Sequence, residues 1–152
     1  MNTTPNCPLC KLNDPANRNY AYLKEYKYWN VRVTPNQHLL GAHVISLKRH
    51  TEKMSDLEPR EFEELIDIQK ELENALEKTF RPHNYNYLQL GNVVRHLHIH
   101  MLPRYSDIKE FVELKWEDKI YRETPGVAPV LKQTPDPEYV VVGIKKEILK
   151  HL

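Results

Sequence analysis

The chain has 152 residues and a mass of 18.1 kDa, which is the size of one domain of about 150 residues. Charged residues make up 28% of it, and 22 lysines and arginines offset 21 aspartates and glutamates, for a net charge of +1. This balance excludes a general nucleic-acid binder, which needs a clear basic excess, and a mean hydropathy of −0.68 argues against a membrane protein. We expect a single domain over residues 1–152.

The N-terminal segment lacks the basic start and apolar stretch of a secretory signal, so a cytoplasmic protein is expected. Its two cysteines, Cys7 and Cys10, form a C-x-x-C pair within a polar stretch. In a reducing compartment this pair is more typical of a metal or redox site than of a structural disulfide. Half of a zinc site is the favoured interpretation, with a redox pair or two incidental thiols as alternatives. Zinc would need two further ligands, which should be histidines because no cysteine remains.

Aromatic and β-branched residues predict three strands in the first third of the chain. Residues 20–24 and 28–33 flank the polar tripeptide 25–27, which is the pattern of a β-hairpin. The pattern breaks at 35–40 and resumes at 42–47, which predicts a third strand.

The clearest helix runs from Pro59 to about Phe80. Proline suits the first helical position, and the glutamates near the start suit the positive end of the helix dipole. The acidic face is expected to be solvated surface. Apolar residues recur every three or four positions and predict a buried face, formed by Phe62, Leu65, Ile66, Gln69, Leu72, Ala75, Leu76 and Phe80.

Two further strands are predicted at 85–90 and 96–101, with a turn or loop at Gly91-Asn92 between them. Pro103 is expected to end the second strand.

Residues 106–138 show no periodicity and contain turn sequences such as Thr124-Pro125-Gly126. Residues 139–152 predict mostly helix, begun by Asp136-Pro137. The fold class is therefore α+β, with about five antiparallel strands, one long packed helix and a C-terminal extension.

Three of the eight histidines alternate with apolar residues at the predicted strand 96–101. Alternate residues of a strand share one face at a spacing of about 6.6 Å, so His96, His98 and His100 should project together. A purely structural role is disfavoured, because stacked imidazoles repel one another and smaller residues would pack better. Two chemistries use such a ladder: neutral imidazoles bind a metal, or one imidazole attacks phosphorus while its neighbours donate hydrogen bonds.

The run from His96 to Leu102 follows the pattern H-φ-H-φ-H-φ-φ, in which φ is apolar, and resembles the signature of the histidine-triad (HIT) superfamily. Lys48-Arg49-His50 ahead of the long helix and the Cys7/Cys10 pair resemble two motifs of the zinc-carrying branch of that superfamily. The resemblance covers residues 7–105 and implies a HIT-like fold in a homodimer. It gives no pattern for the extension at 106–152.

The resemblance also implies the ligand set and the roles of individual residues. Cys7, Cys10, His50 and His96 would hold a structural zinc, with no catalytic metal. His98 would be the nucleophile and His100 would stabilise charge on the phosphate. Gly91 and Asn92 would contact the nucleotide, which is the expected small-molecule partner.

Several positions depart from the family pattern. Ala42 stands where many members have an active-site histidine, and the adjacent His43 should face the other side of the strand. Val93 replaces a phosphate-binding Ser or Thr. Residues 30–40 contain no acidic residue of the kind that holds ribose hydroxyls in many members.

The leading hypothesis is a nucleotide hydrolase or nucleotidyl transferase that cleaves a phosphoanhydride or phosphoramidate through a nucleotidyl-histidine. Diadenosine polyphosphates and adenosine phosphoramidates are the substrates it suggests. One alternative is a non-catalytic nucleotide-sensing module on the same fold. Another is a zinc hydrolase in which His96, His98 and His100 share a catalytic metal.

Overall fold

The structure is a computed structural model that describes residue 4 and residues 6–122 and 134–152. Its fold is α+β, as predicted. The predicted turn at Thr124-Pro125-Gly126 lies outside the described residues. In chain order the elements are α1 (Pro8–Asn13), β1 (Tyr22–Glu25), β2 (Trp29–Val33), β3 (His43–Leu47), α2 (Pro59–Thr79), β4 (Asn84–Leu88), β5 (His98–Arg104), β6 (Lys109–Phe111), β7 (Leu114–Trp116) and α3 (Glu138–Leu149).

Five strands form one antiparallel sheet in the order β1-β2-β3-β5-β4. Residues paired across strands share a face of the sheet. One face carries Ile45 opposite Ile99, and its residues enter the same apolar core as those of α2 and α3. The other face, which we call the site face, carries Ser46 opposite His98 and Val44 opposite His100.

The long helix α2 confirms the predicted span to within one residue. Its buried stripe differs from the prediction, because Ile68 is fully buried whereas Phe62 is 49% exposed and Ile66 and Gln69 are only partly buried. Each fully buried Leu or Ile side chain contributes about 1.5–3 kcal/mol of hydrophobic free energy. The stripe consists of Leu65, Ile68, Leu72, Ala75 and Leu76.

Part of the acidic face of α2 binds the rest of the chain instead of facing only solvent. The carboxylate of Glu64 accepts hydrogen bonds from the N–H groups of Lys27 and Tyr28, at 3.1 and 2.6 Å, and so holds the turn between β1 and β2. Glu61 is buried and forms a two-pronged ion pair with Arg49 at 2.6 and 2.7 Å. The prediction of a solvated face was wrong at these two glutamates, whose partners lie far away in sequence.

Strand β5 continues through Pro103, which was expected to end it. The carbonyl of Arg104 accepts from the N–H of His83 on the β4 side, at 2.8 Å. Because successive residues of a strand bond to alternate neighbours, Pro103 faces the β3 side, where the pairing has already ended at Met101 opposite His43. Proline lacks an N–H, and at this position none of the described strands lies beside it to accept one.

The C-terminal extension has more structure than the sequence predicted. Helix α3 confirms the prediction for the last residues, but β6 and β7 form a hairpin within the region 106–138 that was expected to be irregular. Trp116 donates its indole N–H to the carbonyl of Gln37 at 2.7 Å, and Asp118 pairs with Arg104 at 2.6 Å. The extension is thus attached to the sheet. No helix in the described part of the chain is long and apolar enough to cross a membrane.

Candidate functional site

A Cys2His2 cluster joins the N-terminus to the sheet. Its ligand atoms, from Cys7, Cys10, His50 and His96, all lie within 4.8 Å of one another. The Sγ of Cys7 is 3.4 Å from Nδ1 of His96, and the Sγ of Cys10 is 3.4 Å from Nδ1 of His50. Tetrahedral zinc with Zn–S of about 2.3 Å and Zn–N of about 2.0 Å separates S from N by about 3.5 Å. The four residues therefore fit a zinc ion.

The surroundings of the cluster indicate a structural site. The other ring nitrogen of His96 lies 2.7 Å from the carbonyl oxygen of Leu47, which is the usual outer partner of a metal-binding histidine. Cys7, Cys10 and His96 are buried, and four protein ligands leave no open position for water. The zinc is structural and holds α1 against the sheet.

His98 is the first residue of β5 and lies on the site face. Its Nδ1 is 2.5 Å from the carbonyl oxygen of His96, so we assign the ring proton to Nδ1 and the lone pair to Nε2. The residue is only 7% exposed. Its Nε2 makes no hydrogen bond with the described residues. Because this nitrogen is not among their solvent-inaccessible, unpartnered atoms, it is available to a ligand.

His100 lies two residues further on the same face. Its ring meets that of His98 edge-on, with 5.1 Å between the centroids. Burial, together with the nearby His98 and His38, lowers the pKa of His100 to about 4, so the ring is neutral at pH 7. Its Nδ1 is buried without a partner among the residues that the structure describes, and because a buried N–H without an acceptor is costly, we assign the proton to Nε2. His100 is thus a neutral hydrogen-bond donor.

The predicted equal ladder of three histidines does not form, because β5 begins at His98 rather than at His96. The chain bends before the strand, where the N–H of Leu97 donates to the carbonyl of Thr51 at 2.6 Å. This bend turns His96 toward the cysteines and His50, whose ring centroid is 5.2 Å from that of His96. The arrangement disfavours a catalytic metal shared by all three histidines.

Polar residues cover the site face beside His98. The side-chain oxygen of Asn13, at the end of α1, accepts hydrogen bonds from Asn30, Arg32 and Ser46 at 3.2, 3.1 and 2.9 Å. Arg32 also donates to Ser46 Oγ at 3.3 Å and to the carbonyl of Leu12. Sequence reasoning missed this group, because the contacts join residues 14 to 33 positions apart and no motif signals them.

Other sequence-predicted residues lie at the edge of the site or away from it. Gly91 and Asn92 follow β4, whose last residue Leu88 pairs with His100, and Gly91 has a φ of +79° that favours glycine. Val93 is 95% exposed. His43 is fully buried on the opposite face, as the strand alternation predicted.

His38 is a further histidine near the site that sequence reasoning did not single out. It lies in the loop between β2 and β3, and it is close enough to His100 to lower the pKa of that residue. Its Nδ1 is 2.9 Å from the carbonyl oxygen of Asn36. The next residue, Leu39, packs with Ala42 and Leu102 on the site face. The family pattern puts a histidine at position 42, which is alanine in this chain. The position of His38 near His100 is therefore visible only in the fold.

Comparisons with known proteins give a consistent family. The family model for the HIT domain matches residues 29–107, which is more than half of the chain. An uncharacterized HIT-like protein of Mycoplasma genitalium is 23% identical over 125 residues, covering 72% of this chain and 81% of that protein.

Solved structures with the same fold include three that align with nearly the whole chain. A Hit-like protein from Bartonella henselae has a TM-score of 0.72 at 15% identity, covering 100% of both chains. A zinc-bound histidine triad protein from Mycobacterium smegmatis has a TM-score of 0.65 at 16% identity, covering 95% of this chain and 94% of that one. A hypothetical histidine triad nucleotide-binding protein from Sulfolobus tokodaii has a TM-score of 0.63 at 18% identity, covering 95% and 93%. At these identities the likeness establishes the fold.

Proposed function

We propose, because the chain belongs to the HIT domain family, that it is a nucleotide hydrolase or nucleotidyl transferase acting at the α-phosphate. The observation that carries this proposal is the geometry of His98. The carbonyl of His96 fixes its proton on Nδ1, and Nε2 is left as an unprotonated nucleophile on a face that offers a second, neutral imidazole. A buried histidine with only a packing role has no need of either feature.

The proposed reaction has two steps. Nε2 of His98 attacks the α-phosphorus and forms an N–P bond, while the bond from phosphorus to the leaving oxygen or nitrogen breaks and the leaving group takes a proton from solvent. Water then attacks the same phosphorus and loses a proton to solvent, and the N–P bond breaks to release a nucleoside monophosphate and free His98. In a transferase, another hydroxyl or phosphate replaces the water. The substrate is a phosphoanhydride or phosphoramidate, such as a diadenosine polyphosphate or an adenosine phosphoramidate.

Neighbouring residues would stabilise the charge that develops on phosphate. His100 is a neutral donor two residues after His98 in β5, and its Nε2–H would donate a hydrogen bond to a phosphoryl oxygen. Asn92 would donate an amide hydrogen bond, and the left-handed backbone of Gly91 lets the chain approach closely. The structural zinc supplies no reaction step; it positions α1.

We extend the proposal to a cytoplasmic homodimer. Strand β4 is an edge of the sheet, and edge strands present unpaired N–H and C=O groups. Beside it, an apolar groove is lined by Phe62, Ile66 and Tyr87, and Phe62 is half exposed. A second copy could cover both features. A reducing cytoplasm would keep the cysteines available for zinc.

The test is intact-mass analysis of zinc-loaded protein mixed with adenosine phosphoramidate and with diadenosine polyphosphates. The wild type should turn over at least one compound and, on rapid quenching, show a mass increase of one adenylyl group. His98→Ala should lose the adduct and at least about a thousand-fold of the rate, as nucleophile removal does in other enzymes.

His83→Ala is the matched control, because His83 is an exposed histidine outside the sheet face. It should behave as the wild type, and all three proteins should contain equal zinc and melt at similar temperatures. Full activity of His98→Ala would refute the proposal. A nucleotide that raises the melting temperature without any turnover or adduct would instead support a non-catalytic sensing module.

A further inference from the structure

Two arginines of the sheet are buried, and their surroundings differ. Arg104 is 8% exposed and pairs with Asp118 at 2.6 and 3.0 Å, and the side chain of that aspartate is 1% exposed. Arg32 is 6% exposed, but none of the ion pairs among the described residues includes it. Its pKa is lowered, first by burial and then by the positive charge of Arg18. Buried charges in proteins are normally paired with an opposite charge, whereas in the described part of the chain the guanidinium of Arg32 faces only the ring of Tyr22, whose centroid is 5.5 Å away, so its charge needs an explanation.

Hydrogen bonds satisfy only part of the guanidinium. Arg32 donates from Nη1 to Asn13 Oδ1 and Ser46 Oγ, and from Nη2 to the carbonyl of Leu12. These three bonds use three of the five N–H groups of an arginine. The remaining two, at Nε and Nη2, form the edge with which arginine binds a carboxylate or phosphate in a bidentate manner. Nε is not among the solvent-inaccessible, unpartnered atoms of the described residues, so at least this nitrogen of the edge is reached by solvent.

The position of Arg32 connects it to the nucleophile. Arg32 lies on the site face, and Ser46, which its Nη1 contacts at 3.3 Å, is paired directly with His98 across β3 and β5. Paired residues of an antiparallel sheet have Cα atoms about 4.5–5.5 Å apart. The guanidinium therefore contacts the residue directly opposite His98, while Arg32 itself pairs with Val44, which is opposite His100. Residues 30–40, which include Arg32 and the loop after β2, contain no acidic side chain that could neutralise the guanidinium.

The zinc-bound N-terminus holds this arginine in place. Leu12 and Asn13, which accept its hydrogen bonds, lie two and three residues after Cys10 in α1. The side chain of Asn13 also donates to the carbonyl of Leu47 at 2.7 Å. Arg32 is thus held between α1 and the sheet. A side chain fixed in this way loses little conformational entropy when it binds a ligand group.

We propose that Arg32 recognises a second anionic group of the substrate, a phosphate or a carboxylate, next to the phosphate attacked by His98. This inference rests on the proposed function and narrows its substrate class. The preferred substrate is a nucleotide derivative with two separate anionic groups, and the ligand supplies the negative charge that none of the described residues provides.

The experiment measures binding in the zinc-loaded His98→Ala background, in which no turnover consumes the probes. Titration calorimetry compares AMP with ADP and AMP with adenosine 3′,5′-bisphosphate. It also compares the adenosine 5′-phosphoramidate of asparagine with the adenosine 5′-phosphoramidate of aspartic acid. In each pair the second compound carries the added anion. At least one added anion should tighten binding about tenfold or more, as expected of a charge-assisted pair, and the pair that responds distinguishes phosphate from carboxylate.

Adding Arg32→Gln should abolish this ratio, whereas Arg95→Gln is the matched control. Arg95 is an exposed arginine in the loop before His96, and its loss should change the ratio less than about twofold. Zinc content and melting temperature verify that each variant folds. If Arg32→Gln does not fold, Arg32→Lys decides, because it keeps the charge without the planar fork and should lose most of the ratio.

Equal binding of all compounds, an absence of binding, or an unchanged ratio in the Arg32 variant would overturn the inference. The ratio is independent of catalysis. An Arg32-dependent ratio without an adenylyl adduct in the wild type would refute only the proposed reaction, whereas an adduct without the ratio would refute only the role of Arg32.

Discussion

Two pairs of histidines with nearly the same geometry lie on either side of Leu97. The rings of His50 and His96 meet edge-on with centroids 5.2 Å apart and an interplanar angle of 78°, and those of His98 and His100 with values of 5.1 Å and 71°. The first pair faces two cysteines; the second belongs to no such ligand group among the described residues. Their chemical roles therefore depend on their neighbours and not on how the rings are arranged.

The two pairs also use opposite ring nitrogens. His96 directs Nδ1 to the cysteines and Nε2 to the carbonyl of Leu47. His98 directs Nδ1 to the carbonyl of His96, and its Nε2 has no hydrogen-bond partner in the described part of the chain. In each case a backbone carbonyl takes one nitrogen and so determines which nitrogen remains for a ligand. A sequence motif that spaces histidines evenly does not contain this information.

The largest expected effect comes from breaking the first pair's cluster. Cys10→Ser should remove zinc and lower the free energy of unfolding by more than about 3 kcal/mol, because loss of a metal site is among the strongly destabilising changes. Zinc content by atomic absorption and urea denaturation measure the two effects. His98→Ala should keep the full zinc content, so equal zinc loss in both variants would contradict the separation of the pairs.

The second pair is tested by removing the donor of His100. His100→Ala should reduce kcat about a hundredfold to a thousandfold, which corresponds to loss of one preorganised donor to a developing negative charge. The adenylyl adduct should still form, only more slowly, and zinc binding should not change. Quenched-flow measurement of adduct formation provides the readout, and a rate equal to that of the wild type would show that His100 does not act on the phosphate.

His43 provides a third environment for a histidine, without metal or ligand. Its complete burial lowers its pKa from 6.5 to about 4, so the unfolded chain binds more protons between these values. Stability should therefore fall as the pH drops below 6.5, by about 2 kcal/mol between pH 7 and pH 5 from this residue alone. His43→Leu should remove that part of the slope. Urea denaturation at both pH values measures it, and an unchanged slope would contradict the effect.

The elements with local signals were predictable from sequence. The hairpin β1–β2, helix α2 and the alternation that separates His98 and His100 from Ile99 all follow from periodicity within a few residues. The hairpin β6–β7 has strands of only three residues each, and strands this short do not show a detectable alternation of apolar and polar residues. The extension of β5 through Pro103 depends on where the neighbouring strand ends, which is a property of the sheet.

The site was predictable only where a motif carries it. The two histidine ligands lie 40 and 89 residues from the cysteines they contact, and their identification among eight histidines needed the family resemblance. The contacts of Arg32 with Asn13 and Ser46 have no such motif, because they arise when α1 docks on the sheet. Tertiary packing therefore produced the feature that most narrows the proposed substrate.

The smallest expected effect concerns Val93, which stands where the family resemblance predicts a phosphate-binding Ser or Thr. Its side chain is 95% exposed, so in this conformation it neither packs nor reaches the histidine pair. Val93→Ser should therefore change the free energy of unfolding by less than about 0.5 kcal/mol and change kcat/KM by less than about threefold. Steady-state assays measure this directly. A tenfold increase in kcat/KM would show that the loop closes over the phosphate during the reaction. Residue 93, which lies outside the sheet, would then act on the phosphate together with His98 and His100.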